Sequence, residues 1–123
     1  MKRISTYGSF WPFYVSQHMN PTNRRLHFAG TSLVLLSLAA AVLLSPVFLL
    51  AAPLAGYGFA WVGHFRYERN RPATFTYPLW SLRGDFQMFG LMLLGRMDPE
   101  VERAARLLAQ PFRDRITDSY KVS

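Results

Sequence analysis

From Phe28 to Gly63 the chain runs thirty-six residues without one Asp, Glu, Lys or Arg, with His27 just before the run and His64 just after it. A membrane-spanning helix takes ~20 apolar residues, each rising ~1.5 Å across ~30 Å of hydrocarbon. The run is too long for one span and suits two short ones. Ser45-Pro46 lies near its middle, where proline starts a turn or a new helix, and Pro53 is tolerated near a helix start or as a kink. The pattern predicts a helical hairpin, residues 22–44 out and 47–69 back. His27 is nineteen residues from Pro46 and His64 eighteen, so the two imidazoles return to nearly one depth.

Shorter elements flank this centre. Residues 9–19 read as an interfacial helix with Phe10, Tyr14 and His18 spaced four apart on one face, and Trp11 and Tyr14 suited to the membrane–water boundary. Asn20-Pro21-Thr22-Asn23 breaks that helix, with Thr22 or Asn23 as the next N-cap. Asn23, His27 and Thr31 then form one stripe, with Gly30 beside it. The small residues Gly56, Ala60 and Gly63 recur on the returning arm, as where membrane helices approach closely. Glu68 follows His64 by four and shares its helix face. Arg71-Pro72 ends that arm, and residues 73–77 read as an extended loop.

Pro78 opens a third helix over residues 79–94, too polar early on for a clean span; it reads as partly buried, re-entrant or a tilted third span. Ser81 and Asp85 share one of its faces. An acid at the head of an apolar helix needs a partner, here Arg83, a basic flank or a metal site. Asp98-Pro99-Glu100 reads as a cap followed by an amphipathic helix over 99–109, lying on the membrane or on the protein body and stopped by Pro111, with a polar tail at 112–123.

Composition narrows the class. A chain of 123 residues without repeat or linker reads as one all-α integral membrane domain. Its net charge is +7, and arginines border the apolar run, Arg24 and Arg25 on one side and Arg66, Arg69 and Arg71 on the other. Such a border meets anionic lipid headgroups, and the interleaved basic and aromatic surface that binds nucleic-acid strands is missing. Basic residues flank both outer ends of the hairpin and none lies in the 45–53 turn. The positive-inside rule therefore puts both ends in the cytoplasm, at the cytoplasmic membrane in a bacterium. The basic Met1-Lys2-Arg3 start is followed by polar and aromatic residues, so no cleaved signal peptide is expected. Zero cysteines exclude disulfides, thiolate metal sites and cysteine nucleophiles.

All three histidines fall at one predicted level, His18 before the first arm, His27 opening it and His64 closing the second. With Glu68 one turn from His64 and Asp85 near, they form a nitrogen–oxygen cluster of a kind that suits Fe(II), Mn(II) or Zn(II). Three are too few for the membrane hydroxylases that use eight or more to hold two irons. The plainer alternative makes each histidine a hydrogen-bonded rim residue in a membrane scaffold or lipid-binding protein. A zinc hydrolase is the other.

Tyr14-x3-His18-x2-Pro21-x-Asn23-Arg24-x2-His27-x2-Gly30-Thr31 forms one block. Tyr57-x2-Ala60-Trp61-x-Gly63-His64-Phe65-x2-Glu68-x-Asn70-x-Pro72-Ala73-Thr74-Phe75 forms a second, continued by Tyr77-Pro78-x-Trp80-Ser81-Leu82-x2-Asp85-Phe86-x-Met88. In order, these resemble the membrane 2-hydroxy fatty acid dioxygenase family known from fungal phytosphingosine breakdown. The resemblance implies an Fe(II)-dependent enzyme of fatty acid α-oxidation that takes a 2-hydroxy fatty acid and O2 to an acid one carbon shorter, with His18, His27 and His64 as iron ligands. A 2-hydroxy acid chelates one metal through a five-membered ring while its tail stays in lipid. Arg24, Arg25 or Arg66 would pair with its carboxylate, since arginine does so bidentately. Asn23 and Asn70 complete the expected substrate-binding set, and Glu68 and Asp85 are the expected catalytic carboxylates.

Overall fold

The computed structural model describes residues 3–109 and is helical throughout, with no strand among the described residues. The described residues form five α-helices in order: α1 (Tyr7–Ser16), α2 (Pro21–Leu43), α3 (Ala51–Val62), α4 (Pro78–Leu93) and α5 (Met97–Ala109). A 3₁₀ segment, Pro46–Leu50, leads into α3, and a π-helical turn, Gly63–Glu68, continues it. The expected stop at Pro111 and tail at 112–123 lie outside the described residues. The chain divides into two compact units, one within Met1–Met19 and Ala73–Ser123, the other Asn20–Pro72.

In the Asn20–Pro72 unit, Asn20 caps α2. Its Oδ1 accepts from the N–H groups of Thr22 at 2.8 Å and Asn23 at 3.4 Å, and Pro21 takes the first helical position, where a missing N–H leaves no bond unmade. This corrects the cap expected at Thr22 or Asn23, which both lie inside the first turn and donate to the real cap. Ser45 serves α3's lead-in the same way, accepting from the Val47 N–H. The small residues are where α2 and α3 touch. A Cβ on Gly30 would stand 2.9 Å from that of Phe59 and 3.2 Å from the Ala55 carbonyl oxygen, and one on Gly56 would stand 3.1 Å from Val34. Contacts therefore run in opposite order along the two helices. Pro21–Leu43 and Pro46–Glu68, 23 residues each, are long and apolar enough to cross a membrane. Only 17% and 6% of their apolar windows are buried, and Leu36, Val42, Leu43 and Leu54 face outward. A core helix of a water-soluble domain would cover such side chains; a lipid-facing one leaves them out.

The other unit has the aromatic core. Phe10, Trp11, Tyr14 and Val15 of α1 are buried with Ala73, Met88, Met97 and Ala104. The expectation of an interfacial α1 is corrected here: its aromatic face is packed inside protein, because α4 and α5 supply the apolar partners that lipid was expected to supply. The polar ends of these rings are satisfied across the unit. Trp11 Nε1 donates to Glu100 at 3.2 Å, Tyr7 hydroxyl to Gln87 at 2.5 Å, and Tyr77 hydroxyl accepts from the Ile4 N–H at 2.9 Å. Residues 73–77, expected as an extended loop, contain a 3₁₀ turn at Ala73–Phe75, whose Ala73 carbonyl accepts from Thr76 and Tyr77. α4 has sixteen residues and rises ~24 Å, short of a ~30 Å span. α5 starts at Met97, so Asp98 lies within its first turn instead of capping it.

Gly84 sets how closely α4 lies on Tyr14: a Cβ there would stand 2.8 Å from the ring's Cδ2, whereas one on Gly90 of the same helix meets nothing within 4 Å. Gly84→Ala should therefore lower stability by ~1–3 kcal/mol through overpacking. Gly90→Ala should be neutral or stabilising, since alanine favours a helix interior over glycine by ~1 kcal/mol. Thermal unfolding of both variants in detergent micelles checks the pair.

Candidate metal centre

Three imidazoles lie buried close together. His27 sits nearly two turns into α2, His18 just past the end of α1, and His64 at the start of the π-helical turn; one ring nitrogen from each lies within 4.8 Å of the others. The rings of His27 and His64 meet edge to face, with centroids 4.9 Å apart at 90°. The His18 ring stacks on that of Tyr14, 4.0 Å away and 22° from parallel.

Each ring is held by the same atom. His18 Nδ1 faces the Tyr14 carbonyl oxygen at 2.6 Å, His27 Nδ1 the Asn23 carbonyl oxygen at 2.9 Å, and His64 Nδ1 the Asn70 Oδ1 at 2.7 Å. A carbonyl oxygen only accepts, so Nδ1 carries the proton and the lone pair of each neutral ring sits on Nε2. Metal-ligating histidines are oriented in this way.

Local backbone explains how His64 reaches its partner. Along a continuing α-helix, residue 70 would rise ~9 Å from residue 64. Arg69 instead takes the left-handed conformation, φ 56° and ψ 44°, and its N–H and that of Asn70 both return to the His64 carbonyl. The reversal brings the Asn70 carboxamide back to the ring. Gly63, the residue before His64, has no room for a side chain: a Cβ would overlap Asn23 Oδ1. Asn23 is wholly buried, and that oxygen has no hydrogen-bond partner among the described residues.

The two carboxylates expected as catalytic are outside the histidine group. Glu68 Oε1 accepts from the Asn20 N–H at 2.5 Å and from Asn23 Nδ2 at 3.3 Å. Asp85 Oδ1 accepts the Tyr14 hydroxyl at 2.5 Å. Arg83, one partner expected for Asp85, lies over the Tyr7 ring, 3.8 Å from its centroid. Of the residues expected to bind substrate, Asn23 and Asn70 have side-chain atoms engaged with Glu68 and His64. Arg24 is half-buried, Arg25 and Arg66 are exposed, and Arg66 stands over the Tyr67 ring at 5.8 Å. Sequence reasoning left out three contributors: Tyr14 as the support of His18, Asn20 as the acceptor-rich cap, and Gly63 as the seat of Asn23. The spacings Tyr14-x3-His18 and Gly63-His64 were the available signals.

Burial raises the Asp85 carboxyl from 3.8 to about 6, against the opposing effect of the Tyr14 hydroxyl that donates to it, and burial followed by the Asp85 charge pushes the Tyr14 phenol well above 10. Between 3.8 and about 6 the folded protein binds more protons at Asp85 than the unfolded chain does, so this group makes stability fall as pH rises through that window and level off above it. Asp85→Asn should remove a fall on the order of 1–3 kcal/mol, leaving the variant with a flatter profile. Unfolding of both proteins in micelles from pH 4 to 7 measures it.

Three neutral nitrogens suit a divalent transition metal with coordination positions left for exogenous ligands. Residues 4–97 match the family described as 2-hydroxy-palmitic acid dioxygenase Mpo1-like. No curated protein and no solved structure matches the chain. The family match takes in all three histidines, the Gly63–Glu68 turn and Asp85, and the chain belongs to the 2-hydroxy-palmitic acid dioxygenase Mpo1-like family.

Proposed function

We propose that this chain is an Fe(II)-dependent membrane dioxygenase of fatty acid α-oxidation, converting a 2-hydroxy fatty acid and O2 to the acid one carbon shorter. The observation that carries the proposal is the set of three buried imidazoles, each with Nδ1 held by an oxygen and Nε2 as its lone-pair nitrogen. His18, His27 and His64 would hold the metal. When bound, Fe(II) supplies redox chemistry with O2 that zinc lacks. The reaction balances without an outside reductant: R–CH(OH)–COOH and O2 give R–COOH, CO2 and H2O. The C1–C2 bond breaks, and four electrons pass to O2.

The chain's own residues bind and orient. Pro21–Leu43 and Pro46–Glu68 act as a membrane hairpin with both outer ends in the cytoplasm, which puts the histidines at the headgroup level and leaves the substrate's tail in lipid. Exposed Trp61, Phe65 and Tyr67 at that end suit the boundary layer. Arg24, Arg25 or Arg66 pairs with the substrate carboxylate there, fixing which end of the molecule meets the site. Asn70 holds the His64 ring through Nδ1, and Asp85 holds the Tyr14 ring that lies against His18.

Aerobic incubation of iron-loaded protein with 2-hydroxyhexadecanoic acid should yield pentadecanoic acid and CO2 by mass spectrometry, with one O2 consumed per turnover. Alanine at His18, His27 or His64 should lower the rate by at least ~100-fold and remove stoichiometric iron, with helical circular dichroism retained. Metal-dependent turnover without O2 uptake would favour a hydrolase, and less than stoichiometric metal in the wild type would favour a scaffold.

A further inference from the structure

We infer that Glu68 is a positioning residue: its carboxylate ties the start of α2 to the end of the π-helical turn and so sets His27 and His64 against each other. The inference rests on the metal reading above for its purpose and on contacts within Asn20–Pro72 for its geometry. Oε1 accepts two bonds, from the Asn20 N–H at 2.5 Å and Asn23 Nδ2 at 3.3 Å. The first satisfies an amide at a helix start, where the backbone has no partner of its own and a negative charge is favoured. The second grips the side chain of Asn23. That residue's carbonyl oxygen holds His27 Nδ1, and its carboxamide is wedged against Gly63, next to His64. One carboxylate thus acts on both ligands through one asparagine. A second tie, from Asn20 Nδ2 to the Tyr67 carbonyl at 3.4 Å, runs beside it.

Glu68 closes the π-helical turn that carries His64, and its Oε1 meets the α2 start. The carboxylate is therefore spent on N–H donors, and it lies outside the group of mutually close ligand atoms.

Two substitutions separate this role from that of a ligand or a general acid–base. Glu68→Gln keeps an acceptor oxygen at the same reach and loses the charge. Glu68→Asp keeps the charge and shortens the reach by one methylene. With the full-length protein in micelles and Co(II) as the probe, Glu68→Gln should bind within ~3-fold of wild type with an unchanged visible spectrum, while Glu68→Asp loses ~10-fold or more and shifts the spectrum. The opposite pattern, or no change in either variant, overturns the inference. A metal-free readout keeps it apart from the metal reading. Amide exchange at Asn20 and the His27 Nδ1–H signal in nitrogen-15 spectra should survive in Glu68→Gln and weaken in Glu68→Asp. Wild type that binds no Co(II) while following this pattern sinks the metal reading alone; loss of both signals in Glu68→Gln sinks the clamp.

Discussion

The close approach of Asn23 to Gly63 is the constraint on which the geometry of the Asn20–Pro72 unit turns. Glycine is required there because any Cβ would occupy the space of Asn23 Oδ1, and the asparagine in that space does three jobs at once. Its N–H donates to the Asn20 cap, its carbonyl accepts from His27, and its amide donates to Glu68. A fourth polar atom, Oδ1, stays buried without a hydrogen-bond partner among the described residues. Such an atom opposes folding, on the order of 1–3 kcal/mol when nothing replaces water. The fold keeps it because the same close packing brings the α2 start alongside the turn that carries His64.

The second unit solves a related problem with different parts. Tyr14 offers its backbone to His18 Nδ1, its ring face to the His18 ring, and its hydroxyl to Asp85. Gly84 gives the ring its seat on α4. In both units a ligand-type histidine is held through an oxygen on Nδ1, and a carboxylate acts one residue further out, Glu68 through Asn23 and Asp85 through Tyr14. Neither carboxylate belongs to the histidine group. Burial can hold such acids in place because each accepts a hydrogen bond in a fixed direction.

How much of this could be read beforehand follows from what kind of interaction each feature depends on. The two apolar helices were legible because an uncharged run of thirty-six residues has few alternatives, and the equal distances of His27 and His64 from Pro46 follow from counting. The grouping of three histidines was legible as a motif. The cap at Asn20 was misplaced by two or three residues, because Asn20, Thr22 and Asn23 are all good cap types and only the backbone decides among them. α1 was misread because aromatic residues suit a membrane boundary and a protein core equally; the choice depends on what α4 and α5 bring, which is a nonlocal fact. The bonds that Glu68 accepts from Asn20 and Asn23 join residues 45 and 48 positions apart, which local spacing does not reveal, and Asn70 reaches His64 only through a left-handed Arg69, for which a non-glycine sequence gives no warning.

Among the described residues no carboxylate joins the histidine group, and under the proposed function this has a chemical consequence. Imidazole ligates as a neutral ring, so a divalent cation held by three of them would keep its full formal charge, in a buried place where charge is poorly screened. A 2-hydroxy acid brings the compensating charge itself, through the carboxylate beside its hydroxyl. An ester or a primary alcohol of the same length brings none. Under that proposal, selectivity for the acid would have two independent sources, the rim arginines proposed to pair with its carboxylate and a donor set that leaves the metal's charge to be balanced. The outlying positions of Glu68 and Asp85 would suit this arrangement: they would orient the ligands without supplying the negative charge that the substrate would provide.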